Sequence, residues 1–276
     1  MPWLPEFFSA PVLERIRSQA GAEMPRVPYF DGIRSGETDA LLASFAAHPE
    51  LHHPVRGRVK GRYAFERYVS ATNAWLSDSN AAIRNVNTIT TARHEIAEAV
   101  VTLDGGQGRI ELPMALAVDR DGETRISELR LYYSSWPLTG RHAVRPPVLQ
   151  PKPDRREPDV VGDYQRALAA GDAEAVVAAF ESDAVVREPA GGAYVHRGRD
   201  ELAALFELFF SNGGGIALEH CLATDDGRAC ALEYNVVGWG RTELPPQAGI
   251  AVYVRGDSGK LACARIYDDC DPPLSP

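Results

Sequence analysis

The chain repeats itself. Laid over itself with a shift of 135 residues, Tyr29 meets Tyr164, Gly36 meets Gly171, Ala40 meets Ala175, Phe45 meets Phe180 and Pro54 meets Pro189. The same shift returns near the ends of the two halves, where Arg130-Leu131-Tyr132 meets Arg265-Ile266-Tyr267 and Pro137 meets Pro272. Small insertions between these blocks pair Gly61 with Gly198, and Glu111-Leu112-Pro113 with Glu243-Leu244-Pro245. One match is chance; recovery of the same register after a long interval is not. A chain built this way folds as two copies of one domain, and its 276 residues suffice for each copy to bury its own core.

The repeat sets the boundaries. The first copy takes residues 25–138 and the second 159–276, with residues 1–24 an arm that has no counterpart. Leu13 and Ile16 in that arm suggest a short packed helix. Residues 139–158 read TGRHAVRPPVLQPKPDRREP, a linker whose five prolines keep it extended. A fused pair has reach enough to dock as a pseudo-dimer inside one chain, and further homodimerisation stays open.

Within the second copy the signals are clear. Asp159 is a candidate N-cap for a helix carrying Val161, Tyr164 and Leu168 and ending at Gly171. Asp172 caps a second helix with Val176, Val177 and Phe180 on one face. A β-like run, Ala184-Val185-Val186, leads into Glu188-Pro189. A third helix after Gly198 carries Leu202, Leu205, Phe206 and Phe209. Strands are expected over 216–223, 229–239, 249–255 and 260–268, separated by Asp225-Asp226-Gly227 and Gly256-Asp257-Ser258-Gly259. The first copy follows the same order, with Leu41, Leu42 and Phe45 on its second helix and Phe65, Tyr68 and Val69 on its third. Helices that lead and strands that trail give an α+β fold: three helices on a curved antiparallel sheet, with a hollow between.

Composition removes several classes of function. A net charge of −9 argues against nucleic acid as a partner, and the local basic groups around Arg58 and Arg155 read as solvated loop and linker. No apolar run reaches the ~20 residues of a membrane helix, and the N-terminus lacks the pattern of a secretory signal. The four cysteines form no Cys-x-x-Cys pair, which disfavours both zinc and a disulfide framework; a cytoplasmic location is expected. No phosphate loop, dinucleotide fingerprint or nucleophile elbow is present, so no cofactor is expected. Gly213-Gly214-Gly215 precedes a strand and reads as a flexible turn. His52 and His53 are neighbours on a strand and point to opposite faces, which disfavours a metal between them.

The second copy resembles the ketosteroid-isomerase and SnoaL-like group, which has the cone-shaped fold of nuclear transport factor 2. The resemblance rests on Val160-Val161-x-x-Tyr164, Ala167-Leu168-x-Ala170-Gly171-Asp172, and Phe180-x-x-Asp183-Ala184-x-Val186-x-Glu188-Pro189. It covers the first ~40 residues of the copy in detail and its strands only in pattern. It implies two tandem cone-shaped domains and, in the second, acid–base chemistry on a hydrophobic small molecule: isomerisation, cyclisation, dehydration or epoxide opening. Tyr164 falls at the tyrosine of the oxyanion hole. Glu188, 24 residues on, falls at the carboxylate that moves the proton. The chemistry is coherent, because an apolar hollow raises a carboxyl pKa toward neutrality and a buried tyrosine hydroxyl donates to a developing oxyanion.

The pattern also breaks. The group's second oxyanion donor is an acid that would stand near Gly249 or Ile250, where this chain has none. Asp268 is expected to face the hollow and assist, with Tyr234, His196, Leu205 and Ile266 lining it. In the first copy Tyr29 keeps the tyrosine position, His53 replaces the acid as a candidate base, and Tyr133 replaces Asp268. The resemblance equally admits a non-catalytic ligand-binding or scaffold protein, since this fold hosts both.

Overall fold

The computed structural model describes residues 38–273, except 107, 123, 124, 155, 156, 158 and 193. The N-terminal arm and Tyr29 lie outside the described residues. The chain divides into two units, the first ending at Tyr133 and the second beginning at Ser134. Each contains a six-stranded sheet of the same topology, β2-β1-β6-β5-β4-β3 and β8-β7-β12-β11-β10-β9. In each, the first long strand lies parallel to the last, and all other neighbours are antiparallel. The shifted matches in the sequence are thus matches of fold, and the chain is a tandem pair of α+β domains.

In the first unit, α1 (Thr38–Ala43) precedes the hairpin β1 (Glu50–His53) and β2 (Gly57–Lys60). Helix α2 (Arg62–Asp78) buries Phe65, Tyr68, Val69 and Thr72 at spacings of three and four. Strands β3 (Ala82–Thr90), β4 (His94–Gly105), β5 (Gly108–Arg120) and β6 (Ile126–Tyr132) complete the sheet. Phe45, expected on the helix, stands beyond its end and bridges Ile126 instead, buried among the strands.

The second unit opens with a short helix, α3 (Trp136–Thr139). Helix α4 (Val160–Ala170) starts where Asp159 accepts from the Val161 amide and ends at Gly171, whose φ of 69° only glycine adopts freely. Helix α5 (Ala173–Ala178) is capped by Asp172, which accepts from the Ala175 amide. Then come β7 (Phe180–Arg187), β8 (Val195–Arg197), α6 (Gly198–Phe209), β9 (Ile216–Asp225), β10 (Ala229–Trp239), β11 (Thr242–Arg255) and β12 (Leu261–Ile266). The buried faces of α4, α5 and α6 meet those of β7 and β10 to β12 in one apolar core.

Three differences from the sequence reading have physical causes. Strand β11 starts well before Gly249, because Val236 pairs with Gln247 and Gly238 with Glu243. That places Pro245 and Pro246 in a bulge, where a missing amide breaks no ladder bond. The glycine run 213–215 is a close crossing: a Cβ at Gly215 would overlap the carbonyls of Leu168 and Ala169 at the end of α4. The proline-rich segment is extended, yet held along the second unit. Its prolines lack donors but keep acceptors, and Arg145 O accepts from the Ala248 amide at 2.9 Å while the Lys152 amide donates to His220 O at 2.8 Å. No helix among the described residues is long and apolar enough to cross a membrane.

A single buried carboxylate fastens the start of this segment. Asp269 accepts from Ser134 Oγ (2.6 Å), the Ser135 amide (3.0 Å) and Oγ (2.7 Å), the Ala143 amide (2.8 Å) and His142 Nδ1 (3.0 Å). Burial pulls its pKa upward, but the bonds from His142 and the serines outweigh burial and hold it below the usual range. Asp269 in turn raises the pKa of His142.

Two predictions follow from this packing. Gly215→Ala lowers the stability of the second unit by roughly 2–3 kcal/mol through overpacking, read by urea unfolding; an unchanged midpoint refutes the close crossing. The depressed Asp269 contributes stability above the unfolded carboxyl pKa of about 4, lost as pH falls. The raised His142 contributes below its unfolded pKa of about 6.5, lost as pH rises through its folded value. The Ser135 and Ala143 amides, corrected for intrinsic exchange, are therefore best protected from hydrogen exchange between those limits and lose protection in Asp269→Asn.

Candidate functional site

The helices and sheet of the second unit enclose a cavity of about 810 Å³, within the range of small-molecule sites. Tyr164, Glu188, His196, Leu205, Tyr234, Ile266 and Asp268 all line it. Each arrives by its own element. Tyr164 stands on the inner face of α4, and Leu205 on that of α6. Tyr234 and Ile266 face inward by strand alternation on β10 and β12. Glu188 follows β7 and His196 sits in β8, joined by a turn in which the Glu188 amide donates to Tyr194 O at 3.0 Å. Phe206, Phe209, Trp239 and Tyr253 supply most of the apolar wall.

Among the polar groups in that wall, two pairs stand in hydrogen-bond contact. The first is a carboxyl–phenol pair: Tyr234 donates its hydroxyl to Asp268 Oδ2 at 2.9 Å. Burial pushes the Asp268 carboxyl up to about 6, against the lowering effect of the Tyr234 bond and of the Cys270 amide. Burial also raises the Tyr234 hydroxyl well above its ordinary pKa, so it remains a donor. Nearby, Tyr164 is 3% exposed. Its ring packs edge-on to Phe180 and Phe206 and tilted against Tyr253. Its hydroxyl lacks a hydrogen-bond partner among the described residues, and burial alone raises its pKa.

The second group is Glu188 with His196, whose Nε2 lies 2.7 Å from Glu188 Oε1. A neutral imidazole beside a carboxylate keeps its proton on the facing nitrogen. That leaves the Nδ1 lone pair of His196 available as a base, with Glu188 orienting the ring. The resemblance made Glu188 the carboxylate of the hollow; in the structure it lines the same cavity as Asp268, with His196 as its partner.

The missing acid on the third strand has a local counterpart. Gly249 pairs with Tyr234 across β10 and β11. A Cβ there would lie 2.7 Å from both Asp268 Cβ and Tyr234 Cε2. A side chain at 249 and the Tyr234–Asp268 pair therefore compete for one volume, and this chain holds the pair. A lone glycine in an apolar strand signals such a close approach. The cavity mouth was less legible: Trp136 and His142, assigned to the end of the first copy and the linker, stack at 4.9 Å and line it.

The first unit fills the equivalent positions with rings. His53 is 2% and Tyr133 1% exposed, and both His53–Tyr68 and His53–Tyr133 meet edge-on, at 5.6 and 5.8 Å. His53 Nδ1 accepts from the amides of Val55 and Arg56 at 3.1 and 3.0 Å. That fixes the neutral proton on Nε2 and uses the lone pair a base needs, so His53 caps the turn after β1, and Tyr133 packs as core.

Among the described residues, two groups of side chains have the spacing of metal ligands, Glu50/His52/Glu128 and Glu157/Asp225/Cys230. Cations already meet them. Arg58 and then Lys60 hold Glu50 down to about 2, overcoming its burial, Arg130 bonds Glu128, and Arg255 bonds Asp225 through two nitrogens.

A family model described as a SnoaL-like domain matches residues 161–263. No curated protein matches the chain. Among solved structures, an NTF-2-like protein of unknown function from Burkholderia xenovorans LB400 is 24% identical over 42% of this chain and 84% of its own, with a TM-score of 0.33. The epoxide hydrolase/cyclase-like enzyme SalBIII, of pyran ring formation in salinomycin, is 14% identical over 43% and 87%, with a TM-score of 0.32. A protein of ketosteroid isomerase-like fold from Catenulispora acidiphila DSM 44928, in complex with trimethylamine, is 21% identical over 37% and 79%, with a TM-score of 0.31. Residues 161–263 of the second unit thus match a SnoaL-like domain, and the first unit has the same strand order.

Proposed function

We propose that the second unit is an acid–base enzyme acting on a hydrophobic small molecule, of the isomerase, cyclase, dehydratase or epoxide-opening kind. One observation carries the reading: the Asp268 carboxyl stands in a largely apolar cavity with no lysine or arginine in its lining, bonded by Tyr234 at 2.9 Å, and burial pushes its pKa up to about 6. Such a group exchanges a proton readily at physiological pH. His196, oriented by Glu188, takes the proton from the substrate. Asp268 in its protonated form, with the Tyr164 hydroxyl, donates to the oxygen that gains charge. The apolar walls exclude water and strengthen each of these interactions.

Glu188 and Tyr164 facing one deep cavity favours an enzyme over a binding protein of the same fold. The first unit, its core filled by His53 and Tyr133, acts as a structural partner. In this reading the chain works where the sequence places it, in the cytoplasm.

The test separates chemistry from folding. Against a panel of polycyclic ketones, epoxides and polyketide-like diketones, His196→Ala and Asp268→Asn each lower kcat/KM by about 10²-fold or more. The wild-type profile falls as pH rises past about 6 and the Asp268 proton is lost; in Asp268→Asn that limb is gone. Stability moves the other way. Because folding raises the Asp268 pKa, its contribution is favourable below about 4 and is lost as pH rises through about 6. Asp268→Asn is therefore more stable than the parent above pH 6, by about 1–3 kcal/mol. Unchanged turnover in His196→Ala and Asp268→Asn alike removes the proposal.

A further inference from the structure

The charges on the cavity wall restrict what can enter it. Four carboxylates line it, on Glu188, Glu201, Asp268 and Asp271, and no lysine or arginine among the described residues does. The basic nitrogens of the lining belong to two histidines, each already engaged: His196 with Glu188 at 2.7 Å, and His142 with Asp269 at 3.0 Å and Asp271 at 4.0 Å. Glu201 bonds only a backbone amide, that of Arg197. Between the carboxylates lie ring faces, including Phe206, Phe209 and Trp239 inside, and Trp136 and Tyr194, 38% and 44% exposed, toward solvent. Tyr164 lines the same cavity, and its hydroxyl makes no hydrogen bond among the described residues.

We propose that this cavity selects its ligand by charge and takes hydrophobic amines in their protonated form, while rejecting carboxylates and phosphate-bearing carriers. An anion entering the cavity would meet the more buried Glu188 and Asp268 as well as the solvent-exposed Glu201 and Asp271, with no lysine or arginine in the lining to offset them, and repulsion is felt most at the two more buried groups. An ammonium gains from the carboxylates and from the ring quadrupoles together. A neutral ligand gains only from burial of its apolar skeleton. Asp268, bonded by the Tyr234 hydroxyl and by no cation, supplies most of the preference where it is ionised, above about pH 6. This inference rests on the acid–base reading of the same cavity and narrows its substrate to an amine-bearing polycycle.

The experiment uses three ligands with one skeleton and different heads: dehydroabietylamine, dehydroabietol and dehydroabietic acid. Each is titrated into the full chain at pH 7.5 by calorimetry and by the fluorescence of the cavity tryptophans. The amine is expected to bind about tenfold more tightly than the alcohol, and the acid at least about tenfold more weakly. Asp268→Asn brings amine and alcohol together. Leu208→Arg, placed on a cavity residue that is 47% exposed so that the fold survives, restores binding of the acid. An amine no tighter than the alcohol, or an acid as tight as the amine, overturns the charge inference and leaves the acid–base reading standing. Failure of all three to bind overturns both.

Discussion

A carboxyl group inside an apolar cavity costs free energy when ionised, and the second unit is arranged around that cost. Asp268 is tolerated because Tyr234 and the Cys270 amide bond it, and because Gly249 leaves the space in which the pair meets. Take away any of the three and the carboxyl must turn outward or the strands must part. The aromatic walls complete the effect: they keep the dielectric low enough for the proton on Asp268 to be held near neutral pH. Packing, hydrogen bonding and acidity are here one constraint seen from three sides.

The two units show how little of a fold such a site requires. Strand order, the parallel pairing of first and last strands and the placement of the long helix are common to both. The difference lies in a few inward positions. Where the second unit has Glu188, Leu205 and Asp268, the first has His53, Tyr68 and Tyr133, three rings packed edge to edge. The imidazole serves a turn, and the phenols fill volume. Identical frames therefore hold an acid-lined cavity in one case and packed aromatics in the other.

Much of this was written in the chain. Asp159, Gly171 and Asp172 mark helix ends by hydrogen bonds within a few residues, so local reading finds them. Spacings of three and four on α6, and of two on β10, likewise follow from local geometry. The inward face of Asp268 was legible from strand alternation, while Tyr164 and Glu188 came from the family resemblance, and all three line the cavity. What escaped depends on partners distant in sequence. The bond between His196 and Glu188 needs the β7–β8 hairpin, whose second strand is only three residues long. The five-donor grip of Asp269 spans more than 120 residues, from Ser134 and His142 to the end of β12. The crossing at Gly215 was read as looseness, because crowding by a carbonyl of another element leaves no periodic trace in sequence.

Asp268 and Asp269 are one peptide bond apart, yet they answer to different demands. The first faces the cavity, where its presence strains the fold; the second faces the anchor of residues 134–143, where its removal would undo packing. In evolutionary terms the pair separates invention from inheritance. On the acid–base proposal, a single substitution at Asp268 removes the proton donor and leaves a sturdier protein, a change that drift alone can fix. A substitution at Asp269 endangers the frame that any later chemistry would need. Descendants of such a chain can therefore change what the cavity does far more freely than they can change how its mouth is held.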